Sequence, residues 1–341
     1  MKKVRLGLMG FGEVNRHLYR LCLEDESIEV VAISDVGRPE ILVYLLNSES
    51  KKIKSDAAVT LEGHYLVSKN GRARFVRGIT PEDVPWDAFD VDVVVDATGK
   101  YRTRKEMEGH LESGAKRVIL SSLPEDDIDR VVINGINNHH MKKADKLVSA
   151  GSSTTNATAI MLKILDEAYG VEYAMLTTVH SYTADQPLRD TAGHDFRRSR
   201  SAAENIIPNE TPTPRWIEKI MPEFKGRIEG TALNVPIAAG SLLDLSLVLK
   251  NADVSIKDIN TAVESAAKNF DGILEVTEDP IVSVDVVGNR HSVIYDKQAT
   301  MRSKGKMVKV LTWYHNTLAM ASRIKDLILE YQKLNEKGGS K

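Results

Sequence analysis

The sequence predicts an α/β protein of two domains, and three observations predict it. At 341 residues the chain is long for a single domain, for which ~150 is usual, and an apolar content of 42% supplies a core for each of two. Its opening residues read as strand, glycine-bearing turn, helix and strand, the start of a parallel sheet. Beyond the middle of the chain, long alternating runs gather into a mostly antiparallel sheet covered by helices.

In chain order, Val4 to Met9 form a short apolar strand. Gly10-Phe11-Gly12-Glu13-Val14-Asn15 follows, then a helix through about Glu24, and a second apolar strand, Ile28 to Ile33, ends in Ser34-Asp35. Gly10 and Gly12 suit a tight turn and the close backbone approach that a pyrophosphate needs at a helix N-terminus. Asp35, ending the second strand, is placed to accept from ribose hydroxyls. Asn15 stands at the third glycine position and Glu13 sets a negative charge beside the anion, so a ligand-free turn is the plain alternative. A β-rich excursion is expected over Ala57 to Pro85. A strand at Val91 to Asp96 ends in Ala97-Thr98-Gly99, a helix lies around Arg104 to Ser113, and a strand at Arg117 to Ser121 ends in small polar residues. Such endings suit a parallel sheet that binds its ligand at the carboxyl edge.

Lys146 to Ser149 read as a further strand, which runs into small residues at Ala150 to Ser153 and then a helix over Ala157 to Tyr169. A turn of this kind lifts Ser152 or Ser153 to a helix N-terminus, where free N–H groups and the helix dipole stabilise a developing anion. A Ser/Thr N-cap and nothing more is the plain alternative. Strands are expected at Ala174 to His180, Gly230 to Pro236, Leu242 to Lys250, Ile281 to Val287 and Met307 to Tyr314, with a helix at Ile256 to Lys268. Asn316 to Leu334 reads as an amphipathic helix, with Met320, Ile324, Leu327, Ile328 and Tyr331 on one side. The Lys/Gly/Ser tail after Asn335 reads as frayed.

A net charge of −2 leaves no global basic field for nucleic acid and no acidic tail. The single cysteine, Cys22, falls among apolar neighbours in the first helix, and alone it excludes a disulfide scaffold and a cysteine-based metal site. No window approaches an uninterrupted apolar span long enough for a membrane, and the start of the chain reads as a strand, so the expected compartment is the cytoplasm. No His/Glu/Asp spacing resembles a zinc site, and the adjacent His139 and His140 read as solvated.

His180 ends the strand Thr177-Thr178-Val179-His180, with hydroxyls at Ser181 and Thr183 just beyond. A histidine at a strand end is ordinarily structural; a small-residue nucleophile turn upstream makes it a candidate base, because covalent catalysis pairs the two. The stretch His194 to Arg200 holds three arginines, and guanidinium groups near Thr183 and Thr211 suit a phosphate or carboxylate, or else form a solvated or subunit-facing basic loop.

With these residues assembled, the chain resembles the phosphorylating glyceraldehyde-3-phosphate dehydrogenase family nearly end to end. The resemblance rests on Met9-Gly-Phe-Gly12, Ala97-Thr-Gly-Lys-Tyr101, Gly114-Ala-Lys-Arg-Val118, Ser152-Ser-Thr-Thr-Asn156, Thr177-Thr-Val-His-Ser-Tyr-Thr183, Asn205-Ile-Ile-Pro208, Thr277-Glu-Asp-Pro280 and Trp313-Tyr-His-Asn316. It implies a Rossmann-type NAD(P)-binding domain over 1–151, an α+β catalytic domain over 152–315, and a C-terminal helix over 316–341 that packs back on the first. It also implies a homotetramer built around the arginine-bearing loop and NAD-linked oxidation of a phosphorylated aldehyde to an acyl phosphate. By the same resemblance, cofactor contacts fall on Gly10, Gly12, the backbone at Glu13 and Val14, Asp35, Arg77, Thr98, Ser121 and Asn316. Substrate contacts fall on Ser152, Thr154, Thr183, Arg198, Thr211 and the position of Asn234, and the base on His180.

Three departures stand against that pattern. Ser153 occupies the position of the family's cysteine nucleophile, and an alcohol is far harder to ionise than a thiol near pKa 8.5. Asn234 replaces a phosphate-gripping arginine, and Pro212 replaces the glycine after Thr211. Asp35 favours NAD by repelling a 2′-phosphate, while Gly37, Arg38, Thr191 and Ala192 leave NADP open. Two functional classes therefore stand: a divergent aldehyde dehydrogenase whose working nucleophile is cysteine, and a catalytically silent dinucleotide-binding relative that acts as a sensor or assembly protein.

Overall fold

The computed structural model describes residues 3–52, 59–193, 195–251 and 253–337. His194, the first residues of the Ala57–Pro85 stretch and the end of the Lys/Gly/Ser tail lie outside them. Residues up to Gly151, joined by the chain from Met320 onward, form one compact unit, and Ser152–Ala319 form another.

The first unit contains strands β1 (Val4–Met9), β2 (Ile28–Ser34), β3 (Thr60–Glu62), β4 (Tyr65–Ser68), β5 (Gly71–Val76), β6 (Val93–Asp96), β7 (Arg117–Leu120), β8 (Arg130–Val131) and β9 (Leu147–Ser149), with helices α1 (Glu13–Leu23), α2 (Pro39–Lys52) and α3 (Arg104–Glu112). Their order in the sheet is β3-β4-β5-β2-β1-β6-β7-β9-β8. From β5 to β8 every pairing is parallel, and only the β3-β4-β5 excursion is antiparallel. Near-continuous Val, Ile and Leu runs are what a sheet buried on both faces requires. Register decides where the ligand goes. Met9 pairs with Ser34 and Asp96, Asp96 with Leu120, and Leu120 with Ser149, so the residues that follow each of these strands share one carboxyl edge.

Helix α2 lies where the sequence showed no clear period. Leu42, Val43 and Leu46 are buried while Ile41, Tyr44 and Leu45 are exposed, so apolar residues surround the helix and hide its amphipathic signal. Pro39 opens it, with φ already set for a helix. In the chain after Met320, Ile324, Leu327, Ile328 and Tyr331 are buried within this unit, where Lys325 pairs with Asp25 at 3.0 Å. Cys22 is buried, and burial pushes its thiol up to about 12.

The second unit contains α4 (Ser153–Tyr169), β10 (Val171–Ser181), β11 (Ile207–Asn209), α5 (Thr213–Ile220), β12 (Ile228–Val235), β13 (Ser241–Leu249), α6 (Ile256–Ala267), β14 (Leu274–Thr277), β15 (Val293–Asp296), β16 (Met301–Arg302) and β17 (Met307–Tyr314), and α7 (Asn316–Lys337) begins at its end. The sheet order is β11-β12-β10-β13-β17-β15-β14, with β16 paired to β17. Parallel pairing occurs between β10 and β12 and between β14 and β15, and the rest is antiparallel. Strict alternation along β13 buries every second side chain from Ser241 to Leu249.

One expected strand is corrected. Ile281–Val287 alternates like a strand but forms turns: Asp285 and Val287 N–H groups donate back to Val282 and Val284 at 3.0 and 3.2 Å, and the Asp285 carboxylate accepts from Val282 N–H at 2.8 Å. A side chain that bonds its own local backbone competes with a ladder. The strands here are Leu274–Thr277 and Val293–Asp296 instead. Helix α4 starts four residues ahead of the expected Ala157, and the last helix continues through Lys337. No helix among the described residues is long and apolar enough to cross a membrane.

Candidate active site

The glycine turn after β1 is shaped by contact as well as by conformation. Gly10 has φ +75°, and a Cβ built on it would lie 3.0 Å from Thr98 Cγ2 and 3.2 Å from Thr98 N, so only glycine fits. Gly12 caps α1 with no side-chain hydrogen bond, and a Cβ there would meet nothing within 4 Å. The first N–H groups of α1, at Glu13 and Val14, follow with no acceptor within the helix, as a pyrophosphate site at a helix N-terminus requires. Asn15 explains its own departure from glycine. Its Nδ2 donates to Gly10 O at 2.6 Å, Met9 O at 3.2 Å and Val95 O at 3.3 Å, which ties the helix to the turn and to β6.

Asp35 sits at the same edge. Its Oδ2 accepts from Phe11 N–H at 2.6 Å and its Oδ1 from Gly37 N–H at 2.7 Å, with oxygen lone pairs left for a ribose. Beside it lies a cavity of about 460 Å³ lined by Arg38, His64, Arg74 and Arg77 among others. The Thr98 hydroxyl donates to Asp96 Oδ1 at 2.7 Å. Behind it runs a buried relay invisible in the sequence: Trp86 Nε1 donates to His110 Nδ1 at 3.1 Å, which leaves His110 Nε2 to donate to Asp96 Oδ2 at 3.1 Å. Ser121 N–H bonds Asp96 O at 2.9 Å, so its position on the carboxyl edge is fixed by backbone. These residues fit a dinucleotide.

In the second unit the two serines divide. Ser152 is the N-cap of α4, its Oγ accepting from Thr155 N–H at 3.1 Å. Ser153 is the first helical residue, 7% exposed, and its hydroxyl has no hydrogen-bond partner among the described residues. Ser152 and Thr211, far apart in sequence, are joined by a hydroxyl chain. Ser152 Oγ lies 2.8 Å from Thr155 Oγ1, which lies 3.1 Å from Thr213 Oγ1, which Thr211 Oγ1 reaches at 3.2 Å. Thr155 and Thr213 escaped the sequence reading; a run of threonines facing another across two helix starts was the available signal. Pro212 caps α5 in an ordinary helical conformation, φ −76°, where a glycine is not needed. Thr154 is held structurally, its hydroxyl 2.9 Å from Tyr314 OH, which Thr178 also bonds at 2.8 Å.

His180 has a defined tautomer. Nδ1 lies 2.7 Å from Ser181 O and so carries the hydrogen, leaving Nε2 as an acceptor for Asn316 Nδ2 at 2.7 Å. The Asn316 amide is oriented in turn by Ser241, whose Oγ donates to its Oδ1 at 2.7 Å and accepts from Ser181 N–H at 3.1 Å. Groups crowded around the ring lower the imidazole pKa, although the Ser181 carbonyl and Asp185 oppose that. The ring therefore stays uncharged more readily than a free imidazole. No hydrogen bond joins it to Ser153 among the described residues.

The Thr183–Arg198 pair is bridged by a carboxylate that the sequence reading passed over. Thr183 Oγ1 donates to Asp185 Oδ1 at 2.5 Å, and Arg198 pairs with Asp185 Oδ2. Burial pushes the Asp185 carboxyl up, and the Thr183 hydroxyl and Arg198 together outweigh it and hold the carboxyl below its usual range. Arg200 pairs with Asp190 at 2.9 Å, so the basic loop is internally neutralised in part. Asn234 is buried, donating to Gln186 Oε1 at 2.5 Å and accepting from Asn209 Nδ2 at 2.6 Å. Gln186 Nε2, also buried, has no hydrogen-bond partner among the described residues.

Two family models match the chain: the NAD binding domain of glyceraldehyde 3-phosphate dehydrogenase over residues 4–104, and its C-terminal domain over residues 152–316. Among curated relatives, the glyceraldehyde-3-phosphate dehydrogenase of Priestia megaterium is 38% identical over 326 residues, 95% of this chain and 97% of its own length. Those of Geobacillus stearothermophilus and Mycobacterium leprae are each 38% identical, again over 95% of this chain and 97% of theirs. A doubly wound NAD-binding sheet, a mixed second sheet behind a serine-capped helix, and these likenesses along nearly the whole length have one explanation: the chain belongs to the glyceraldehyde-3-phosphate dehydrogenase family.

Proposed function

We propose that the chain is an NAD-linked aldehyde dehydrogenase scaffold in which residue 153 is the nucleophile's seat and His180 the base, and that serine at this seat leaves it severely impaired. One observation carries the reading. Ser153 Oγ lies at the first position of α4, nearly buried and uncommitted, while its neighbour Ser152 supplies the cap. A nucleophile there would add to the aldehyde carbon and give its proton to His180 Nε2, with the α4 N-terminal N–H groups facing the oxyanion. NAD, held by the Gly10–Gly12 turn, the α1 N-terminus and Asp35, supplies the hydride acceptor. What remains is an acyl-enzyme, released by phosphate as an acyl phosphate.

The substrate is a small aldehyde, phosphorylated as in the family. Ser152, Thr211 and the hydroxyl chain between them support one anion subsite, and Thr183 with Arg198 another. The second is weakened here, because Asn234 brings no charge and Asp185 already neutralises Arg198. Loss of one charge-assisted contact costs about 1.5–3 kcal/mol. Arg38, Arg74 and Arg77 around the Asp35 cavity support acceptance of NADP beside NAD. Exposed Leu188, Phe196 and Ile206 on the arginine-bearing loop support the homotetramer.

The test is NAD(P)-linked oxidation of a panel of aldehydes, with and without phosphate, by the chain and its Ser153→Cys variant. Cysteine at 153 is expected to raise kcat/KM by at least about 10²-fold, the scale of a correctly activated nucleophile. A second reading, a silent dinucleotide-binding homologue, is favoured by the occupied Nε2 of His180. It prevails if both proteins bind NAD and neither turns over.

A further inference from the structure

At the amino ends of the parallel strands, on the edge opposite the glycine turn, lies a second cavity of about 430 Å³. It is bounded by the first residues of β1, β6 and β7, by the approach to β9, and by Ile328, Tyr331 and Glu336 of α7. Strand β1 alone separates the two edges by about 20 Å. A dinucleotide at the carboxyl edge leaves this cavity untouched.

The cavity's charge is one-sided. Lys3, Lys116, Arg117, Lys143 and Lys146 line it, against Asp92 and Glu336. Lys116 and Asp92 neutralise each other at 2.8 Å, and Lys116 also reaches Asp90 at 3.1 Å. The Lys3, Lys143 and Lys146 ammonium groups have no carboxylate partner among the described residues. Arg117 is the built part of the site, only 6% exposed. Its Nε donates to Asp145 O at 2.8 Å and its Nη2 to Lys143 O at 3.0 Å, while the guanidinium carbon stacks 3.8 Å above the Tyr331 ring. Both acceptors are neutral carbonyls. The nearby Asp145 carboxylate is already taken by Arg130 at 2.7 Å and by Lys142 N–H at 2.8 Å. A buried guanidinium, rigidly held by two carbonyls and sharing its one neighbouring carboxylate, Asp145, with Arg130, is what an anion-binding site supplies in advance. The walls between these charges are apolar, from Val4, Val93 and Ile328.

From this geometry we infer that the amino-edge cavity is a second ligand site, which binds a nucleotide-sized organic phosphate: the phosphates among Arg117, Lys3, Lys143 and Lys146, the apolar body against Val4, Val93 and Ile328. The volume lies in the range of small-molecule pockets. Glu336 opposes such a ligand, and its removal strengthens the site.

ATP serves as the probe, titrated calorimetrically into the full chain at saturating NAD so that the dinucleotide site is filled, with inorganic triphosphate and adenosine as the head and body alone. Expected are saturable binding of ATP, at least tenfold weaker binding of triphosphate, and none of adenosine. The doubly exposed variant Lys143→Glu/Lys146→Glu loses at least tenfold in ATP affinity with NAD affinity unchanged, and Glu336→Gln gains. These variants leave the buried Arg117 and the fold intact, where Arg117→Gln risks both. The inference is overturned if ATP fails to bind at saturating NAD, if charge reversal leaves its affinity unchanged, or if triphosphate binds as tightly as ATP.

Discussion

At the scale of single residues, the candidate site is decided by which polar atoms are already occupied. Ser152 caps α4, Thr154 bonds Tyr314, and Thr98 bonds Asp96, whereas the Ser153 hydroxyl has no partner among the described residues. His180 carries a further consequence. Its pKa in the folded chain lies below the ordinary 6.5, so between those two values the unfolded chain binds a proton that the folded chain does not. Stability contributed by the neutral ring is fully present above about pH 6.5 and is lost as pH falls toward the folded pKa. Urea midpoints measured from pH 7.5 to 5 should therefore fall more steeply for the natural chain than for His180→Gln; parallel slopes would show that the ring is not held neutral by its surroundings. Motifs name candidate residues at this scale, but not which of their polar atoms are already taken. Nothing in the order of residues announces that Asp185 bridges its near neighbour Thr183 to Arg198, that Ser241 orients Asn316, or that Trp86, His110 and Asp96 form a relay, because the distant partner in each is brought close only by folding.

At the scale of elements, period and punctuation served well where burial was one-sided. Strand β13 alternates cleanly, the last helix shows a stripe beyond its wholly buried stretch at 318–324, and the glycine turn between β1 and α1 was placed by its residues. Failures have local causes: α2 is apolar on all sides, and Ile281–Val287 alternates but is folded into turns by Asp285. The carboxyl ends of β2 and β5 meet at the Asp35 cavity, and the balance of charge there sets a prediction. Asp35 disfavours a 2′-phosphate, but both its oxygens already accept backbone N–H groups, while Arg74 and Arg77 stand exposed across the cavity. NADP should bind within about tenfold of NAD, a difference under ~1.4 kcal/mol. Arg74→Ala/Arg77→Ala should weaken NADP by more than tenfold, the loss of about two exposed charge-assisted contacts, and alter NAD less than threefold. Fluorescence titration of both cofactors decides it, and a chain that binds NAD but not NADP would show that Asp35 dominates.

At the scale of the whole molecule, the proposed homotetramer turns on the surface of the second unit. Phe196 is 97% exposed at the head of the arginine-bearing loop, with Leu188 and Ile206 also outside, and Val282, Val284 and Val287 emerge from the turns that replaced an expected strand. Scattered apolar residues on a surface need no explanation, but three beside partly neutralised arginines suit the proposed interface. The ion pairs Arg198–Asp185 and Arg200–Asp190 bear on the same proposal from the side of cost: they would reduce the charge that a covered basic loop leaves uncompensated. Sedimentation velocity at micromolar concentration should give a tetramer. Phe196→Asp with Leu188→Asp should shift it toward dimers or monomers, since burying a carboxylate in an apolar contact costs several kcal/mol per copy. NAD affinity should persist in the dissociated species, because the glycine turn, Asp35 and the relay behind Thr98 lie wholly within the first unit. A natural chain that sediments as a monomer would leave these apolar residues without a partner and remove the loop from the assembly.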